Sequence, residues 1–254
     1  MNLFDLSGRT CLLTGASKGM GLHMATALAQ HGAKVVISSR SQDDLDAAAA
    51  GINSAVGRDA AVGIACNVGH KDQLEALVSK AREASGPIKA VIGNAGVNPH
   101  YGSITDIGDD AYEKTMNANV QSNLWLAKLV VDDMEGGGSM AFTSSIGAFK
   151  PSAELGTYGM SKLALIGLVR NLALEFGPKG VRVNAICPGL VKTDFARALW
   201  DDPDREAKIN KQIPLRRLGE PEDFEGLAVF LASDASKYVT GQALTVCGGS
   251  SMWA

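Results

Sequence analysis

Two kinds of apolar pattern alternate along the chain. Short, nearly continuous apolar runs recur throughout: "TCLLT" (10–14), "KVVIS" (34–38), "AVGIA" (61–65), "KAVIG" (89–93), "SMAFTS" (139–144), "VRVNAI" (181–186) and "ALTV" (243–246). Runs of this kind suit strands covered on both faces, as in a parallel sheet. The segments between them repeat at helical spacing. Leu22, Ala25, Leu28 and Ala29 share one stripe that ends at Gly32, a helix stop, and Leu74, Leu77, Val78 and Ala81 share another. "DDAYEKTMNANVQSNLWLAKLVVDDM" and "TYGMSKLALIGLVRNLALEFG" predict two long helices, and "EGGGS" (135–139) a tight helix-to-strand turn. Strand alternating with helix predicts βαβ units: an α/β fold, a Rossmann-type doubly wound parallel β-sheet of about seven strands with helices on both faces. No repeat or convincing linker divides the chain, so residues 1–254 are expected to form a single domain.

Three local features carry candidate chemistry. "TGASKGMG" (14–21) follows the first strand and opens into the first helix. Gly15 permits a sharp turn there, and Gly19 and Gly21 let backbone N–H groups approach a pyrophosphate at a helix N-terminus; a tight turn without a ligand would use the same residues. About 20 residues past such a loop, an NAD-preferring site places an acid for the ribose 2′-hydroxyl. Here "VVISSR" offers Ser38 and Ser39 followed by Arg40. An Arg can pair with a 2′-phosphate that a carboxylate would repel, and Lys18 adds a second positive charge. NADP(H) is therefore the expected cofactor, with NAD(H) as the alternative if both cations are merely solvated. Finally, "TYGMSK" (157–162) sets Tyr158 and Lys162 one helical turn apart. That spacing serves either proton transfer or an ordinary amphipathic pair with wet tips.

In this order, the motifs resemble the short-chain dehydrogenase/reductase family over the length of the chain. "TGASKGMG" resembles T-G-x-x-x-G-x-G, with Met20 in the slot usually held by Ile. "GNAG" (93–96) is similar to N-N-A-G, with Gly93 in place of the first Asn. Ser145 stands thirteen residues before Tyr158, as the family's catalytic Ser and Tyr are spaced. "NANVQS" resembles the helix segment that carries the catalytic Asn, and "CPGLVKTDF" (187–195) the P-G-x-x-x-T segment at the nicotinamide half of the cofactor. The resemblance implies a catalytic set of Asn119, Ser145, Tyr158 and Lys162. Ser144 competes with Ser145, and Asn117 with Asn119; the Tyr spacing favours Ser145 and the following Val120 favours Asn119.

By resemblance, Tyr158 is the general acid in reduction and the general base in oxidation. A phenol needs cationic neighbours for that work, here Lys162 and the oxidised nicotinamide. Lys162 would also bond the ribose hydroxyls, Ser145 would polarise the substrate oxygen, and Asn119 would hold a water linking Lys162 to solvent. Implied cofactor contacts are Gly15, Ser17, Lys18, Gly19, Met20 and Gly21 in the loop and Ser39 and Arg40 after the second strand. Further along they are Asn67 and Val68, then Asn94, Ala95 and Gly96, then Pro188, Gly189, Val191 and Thr193, with Tyr158 and Lys162 at the ribose. Asn94 is expected to act structurally, tying strand to loop. Asn67 stands where the family has an Asp for the adenine amino group. Cys247, in "VCGG", replaces a common Asp and has no functional account from the sequence.

Composition narrows the function class. A net charge of −3, with no Lys/Arg cluster longer than Arg216-Arg217, argues against a nucleic-acid or anionic-membrane surface. The N-terminus shows no signal-peptide pattern, and the apolar stretch "LALIGLVRNLALEF" is broken by Arg170 and Asn171, so a cytoplasmic protein is expected. Cys11, Cys66, Cys187 and Cys247 form no C-x-x-C pair, and His23, His31, His70 and His100 no ligand spacing; free thiols and no metal are expected.

By resemblance the substrate meets residues 97–101, the loop after Ser145 and a lid at about 190–215, which offer Tyr101, Phe149, Leu155, Phe195, Leu199 and Trp200. The last three are equally open to a core or interface role, and His100 and Arg197 are the candidate cations. A small-molecule carbonyl or alcohol substrate is expected, hence a carbonyl reductase or alcohol dehydrogenase. A 3-oxoacyl-carrier reductase and a non-enzymatic dinucleotide-sensing protein are the alternatives; enoyl reduction is disfavoured because that branch spaces Tyr and Lys more widely. The helices at 110–134 and 157–177 would pair copies into a homodimer or homotetramer, with "SSMWA" adding to a second interface.

Overall fold

The computed structural model describes residues 2–252; of the C-terminal "SSMWA", Trp253 and Ala254 lie outside the described residues. Seven parallel strands form its sheet: β1 (Thr10–Thr14), β2 (Lys34–Ser38), β3 (Ala61–Gly63), β4 (Ile88–Gly93), β5 (Gly138–Thr143), β6 (Val181–Pro188) and β7 (Ala243–Val246). Their order is β3-β2-β1-β4-β5-β6-β7. The chain leaves β1 towards one edge and returns through β4 towards the other. This reversal opens a crevice at the carboxyl ends of β1 and β4, the place where doubly wound sheets bind ligands.

The helices are α1 (Gly19–Gln30), α2 (Gln42–Val56), α3 (Lys71–Ser85), α4 (Asp109–Met116), α5 (Ser122–Val130), α6 (Gly156–Phe176), α7 (Arg197–Trp200), α8 (Pro203–Gln212) and α9 (Glu225–Ala232). Alternate strand residues feed two separate cores, which is why the strands read as unbroken apolar runs. Leu13 and Ile37 pack with Met24 and Leu28 of α1, Leu45 of α2 and Val229 of α9. Leu12 and Val36 face the other way, with Leu77 of α3, Leu126 of α5 and Leu165 of α6. The buried stripe of α3 is Leu74, Leu77, Val78 and Ala81, the positions its periodicity marks. Among the described residues no helix is long and apolar enough to cross a membrane.

The long helix expected over 110–134 is interrupted. Between α4 and α5 lies a π-helical turn, Asn117–Gln121, and after α5 a 3₁₀ turn, Val131–Met134. A π turn adds one residue to the helical circuit and is frequently found at functional sites; this one carries Asn119. The "EGGGS" stretch is the expected turn, with Gly136 and Gly137 at φ of 80° and 123°. β3 stops at Gly63, although Cys66 N still donates to Ser39 O at 2.7 Å and holds the chain beside β2.

Gly93, where the resembling family carries Asn, is a packing requirement here. A Cβ on it would strike Asn123 Oδ1 and lie 2.6 Å from Phe142 Cδ1, and Phe142 is fully buried. Restoring the family residue with Gly93→Asn is therefore expected to destabilise the protein by about 1–3 kcal/mol, the usual range for overpacking. A lowered urea midpoint would report it; an unchanged one would show that the core yields at this point.

Candidate active site

The carboxyl ends of the strands open into a cavity of about 1910 Å³, well above the roughly 300–1,000 Å³ of a common ligand pocket. It runs from Ser39 and Asn67 beyond β2 and β3, past Gly15 and Ala95 at the crevice, to Ser145 and Tyr158 beyond β5. All the residues named above as cofactor contacts line it except Gly21. Gly21 acts from behind: a Cβ there would strike Gly15 O and lie 2.8 Å from Ala16 Cα.

The crevice is built by close backbone approach. Gly15 has a φ of 63°, and a Cβ on it would lie 2.8 Å from Ala95 Cα, so only glycine lets the loop lie against the end of β4. Asn94 ties three strand ends together. Its Nδ2 donates to Gly15 O at 2.9 Å, and its Oδ1 accepts from Thr143 Oγ1 at 3.2 Å. The structural role expected of Asn94 is visible in these two bonds. Across the cavity, a Cβ on Gly19 would lie 3.4 Å from Thr193 Cγ2, so the glycine loop faces the P-G-x-x-x-T segment directly.

The residues present fit a dinucleotide. The N-terminus of α1 has no side-chain cap and no acidic residue in its first turn, which leaves its N–H groups to an anion. Ser39 Oγ, at the β2 end of the cavity, is buried with no hydrogen-bond partner among the described residues, an orphan that a ribose substituent would satisfy. Arg40 is exposed on the rim and makes no ion pair among the described residues. Lys18 is placed differently from expectation: its Nζ donates to Asp194 Oδ2 at 2.7 Å. Asn67 Oδ1 accepts from Gly69 N at 3.1 Å, so one lone pair of the oxygen meant for adenine is already used. Cys247 acquires a packing role, since a Cβ on Gly189 would lie 2.9 Å from Cys247 Cα; the Cys backs the Pro188–Gly189 backbone.

At the other end the four catalytic candidates converge. Lys162, on α6, is only 3% exposed, and its Nζ donates to Thr143 O, the last residue of β5, at 2.8 Å. Ser144 Oγ donates to Lys162 O at 2.7 Å and is thereby committed to holding α6. Ser145 instead faces the cavity, its Oγ accepting from Gly147 N at 3.0 Å. Asn119 is fully buried: Oδ1 accepts from Val97 N at 2.8 Å, and Nδ2 donates to Val97 O at 3.0 Å and Ser161 Oγ at 2.9 Å. Ser161 Oγ in turn donates to Tyr158 O at 2.7 Å, so the π turn and α6 are locked together beneath Tyr158. Asn117 goes elsewhere, its Nδ2 donating to Gly69 O at 3.0 Å. The Lys162 Nζ lies 5.5 Å from the centre of the Tyr158 ring.

Sequence reasoning did not assign Thr143, Val97 or Ser161 to this assembly. The first two act through backbone groups and leave no mark in the sequence. Ser161 had a signal, a hydroxyl three residues from Tyr158 on the same helix.

Of the substrate-side candidates, Tyr101, Phe149, Leu155, Phe195 and Leu199 line the cavity. The Phe195 ring centre stands 6.2 Å from that of Tyr158. Trp200 turns away, its Nε1 donating to Thr193 O at 3.3 Å. Neither candidate cation lines the cavity: His100 Nε2 bonds Ser103 O at 2.9 Å, and Arg197 pairs with Asp201 at 3.5 Å.

Enclosure pushes the Tyr158 phenol up to about 12, partly offset by a hydrogen bond with Ser145. Burial pushes Lys162 down to about 8, with the nearby Cys187 acting weakly the other way. Between that folded value and the ordinary lysine value of 10.5 the unfolded chain binds the extra proton, so this Lys makes stability rise with pH from about 8. Tyr158 opposes it only above the ordinary phenol value of 10.0, where the unfolded phenol ionises first. In the cofactor-free protein, Lys162→Met is expected to raise stability at pH 7 by something on the order of 2 kcal/mol, the ammonium's burial penalty less its bond to Thr143. Urea denaturation should show that advantage shrinking between pH 8 and 10; an advantage constant over that window would contradict the assignment.

Comparison with known proteins agrees with this fold. A family model described as enoyl-(acyl carrier protein) reductase matches residues 15–251. A Homo sapiens protein described as dehydrogenase/reductase SDR family member 4 is 42% identical over 248 residues, covering 96% of this chain and 88% of its own length. Among solved structures, a gluconate 5-dehydrogenase from Burkholderia cenocepacia J2315 in complex with NADP and tartrate superposes with a TM-score of 0.93 at 28% identity, covering 100% of this chain and 99% of that one. A blue fluorescent protein from a metagenomic library, in complex with NADPH, gives a TM-score of 0.89 at 30% identity over 97% and 99% of the two chains. The chain belongs to the short-chain dehydrogenase/reductase family of nicotinamide-dinucleotide-dependent oxidoreductases.

Proposed function

We propose that the protein is an NADP(H)-dependent oxidoreductase acting on a neutral carbonyl or secondary alcohol, with Tyr158 as its acid and base. The observation that carries this reading is the meeting of Tyr158, Ser145 and Lys162 at one end of the cavity whose other end holds Ser39 and Arg40. The bound dinucleotide supplies hydride chemistry; the chain binds, orients and moves the proton. Arg40, free of any ion pair among the described residues, supports a 2′-phosphate there, as does the NADP complex of the Burkholderia cenocepacia neighbour.

Ser145 Oγ accepts a bond from Gly147 N and shares a hydrogen bond with the Tyr158 phenol, so a substrate oxygen that gains charge in the reaction would take up the Ser145 proton in place of the phenol. Tyr158, pushed up to about 12, is protonated at neutral pH and suits the acid role in reduction. In oxidation it must first lose that proton, and the Lys162 ammonium, 5.5 Å from its ring and charged below about 8, favours the phenolate there. Asn119 Oδ1 and Lys162 Nζ flank Gly96, at 3.3 and 3.1 Å from where its Cβ would stand, which supports a proton path from Lys162 past Asn119.

Phe149, Leu155, Phe195 and Leu199 line the substrate end, and they favour an uncharged substrate beneath a lid at about 190–215. The four-residue spacing of Tyr158 and Lys162 favours carbonyl over enoyl reduction. The convergence of all four candidate groups favours an enzyme over a sensor, since a sensor needs only the cofactor end. Exposed Leu124 on α5 and Leu163 and Leu174 on α6 support pairing of copies through these helices.

NADPH oxidation by purified protein over a panel of ketones, aldehydes and 3-oxoacyl thioesters tests the reading. Tyr158→Phe should lower kcat by about 10²–10⁴-fold, the usual contribution of a positioned acid, with NADPH binding retained. Alcohol oxidation should accelerate as pH rises from 7 to 10 while ketone reduction does not. Full activity in Tyr158→Phe would overturn the assignment.

A further inference from the structure

The two cations available to a 2′-phosphate are not in equivalent states. Arg40 makes no ion pair among the described residues, whereas Lys18 Nζ sits 2.7 Å from Asp194 Oδ2. Asp194 directly follows Thr193, and Thr193 is the residue that meets Gly19 across the cavity. The ion pair thus joins the glycine loop to the start of the substrate-side segment. Neighbouring cations have acids of their own: Lys192 lies 2.7 Å from Glu206, and Arg197 lies 3.5 Å from Asp201. The Lys18 ammonium holds the Asp194 carboxyl below its ordinary value, so this carboxylate is ionised throughout the neutral range.

We propose that Asp194 is a cofactor-specificity residue: its carboxylate competes with the cofactor's 2′-phosphate for Lys18. The proposal rests on the reading of Lys18 and Arg40 as phosphate partners. A phosphate monoester carries a charge of about −1.5 to −2 at neutral pH. Drawing Lys18 to it breaks the pair with Asp194; leaving Lys18 in place sets a phosphate beside an uncompensated rim with only Arg40 to meet it. A 2′-hydroxyl imposes neither change, so NAD(H) binds with the pair intact. Asp194 therefore opposes the preference for NADP(H) that Arg40 and Ser39 favour, and narrows the gap between the two cofactors. Both partners are mostly exposed, 72% and 64%, so water and salt screen the pair and its effect is modest.

The test is a titration of NADPH and NADH, followed by cofactor fluorescence, into wild type, Asp194→Asn, Lys18→Met and the double variant. Asp194→Asn should raise the ratio Kd(NADH)/Kd(NADPH) by roughly two- to fivefold at about 20 mM salt, and by less at about 0.5 M. The gain should vanish in the Lys18→Met background. A ratio unmoved by Asp194→Asn, or both cofactors weakened alike, would overturn the proposal and leave the pair as a clasp between two walls. If Lys18→Met itself leaves the ratio unchanged, the reading of Lys18 as a phosphate partner fails and the proposal falls with it. If Lys18→Met lowers the ratio while Asp194→Asn does not raise it, only the competition is refuted.

Discussion

An ammonium group removed from water must be compensated by its surroundings or give up its proton. Lys162 is 3% exposed, and what compensates it organises this end of the molecule. Its Nζ is held by the carbonyl of Thr143, and its own carbonyl is held by Ser144, so two consecutive residues at the end of β5 fix one turn of α6. Ser145 is the next residue along, and it is thereby delivered to the cavity wall beside Tyr158. From the other side the π turn swings Asn119 inward to Val97 and Ser161, and Ser161 fixes the Tyr158 carbonyl. The Tyr158 backbone and the Lys162 ammonium therefore belong to one hydrogen-bonded unit that joins the loop after β4, the π turn, β5 and α6.

A second constraint sets where that unit looks. The reversal of strand order leaves the β1–β4 crevice, and Gly15 lies against Ala95 with no room for a side chain. Asn94 carries the same tie across to Thr143, whose carbonyl holds Lys162. The glycine loop and the Tyr158 end of the cavity are thus joined through the ends of three adjacent strands, β1, β4 and β5. A dinucleotide lying across those ends would touch both. Precision at one end follows from the rigidity of a sheet packed on both faces.

Much of this was legible in the sequence where a local pattern carries the information. β1, β2 and β7 begin and end where their apolar runs do, and the α3 stripe is buried residue for residue. Ser145 was separable from Ser144 by its distance to Tyr158. What was not legible depends on partners far away along the chain. "NANVQS" has nothing in its composition to announce a π turn; the extra residue is accommodated because Asn119 bonds Val97 and Ser161, 22 and 42 residues distant. Lys18 reads as a free cation until Asp194, 176 residues on, is seen beside it. Gly93 and Cys247 read as departures from a family pattern, and both prove to be answers to packing: Phe142 fills the space at one, and the other supports Gly189.

The balance between enclosure, which raises the pKa, and positive charge brought close, which lowers it, sets the acidity of Tyr158. This balance is tested most directly by ¹³C-tyrosine NMR titration of the phenol, first without cofactor and then with NADP⁺ bound. The structure places the free phenol at about 12. Binding of the oxidised cofactor should bring it down, and with Lys162→Met the bound value should stay higher than in wild type. A phenol that titrates at the same pH in all of these states would contradict the account.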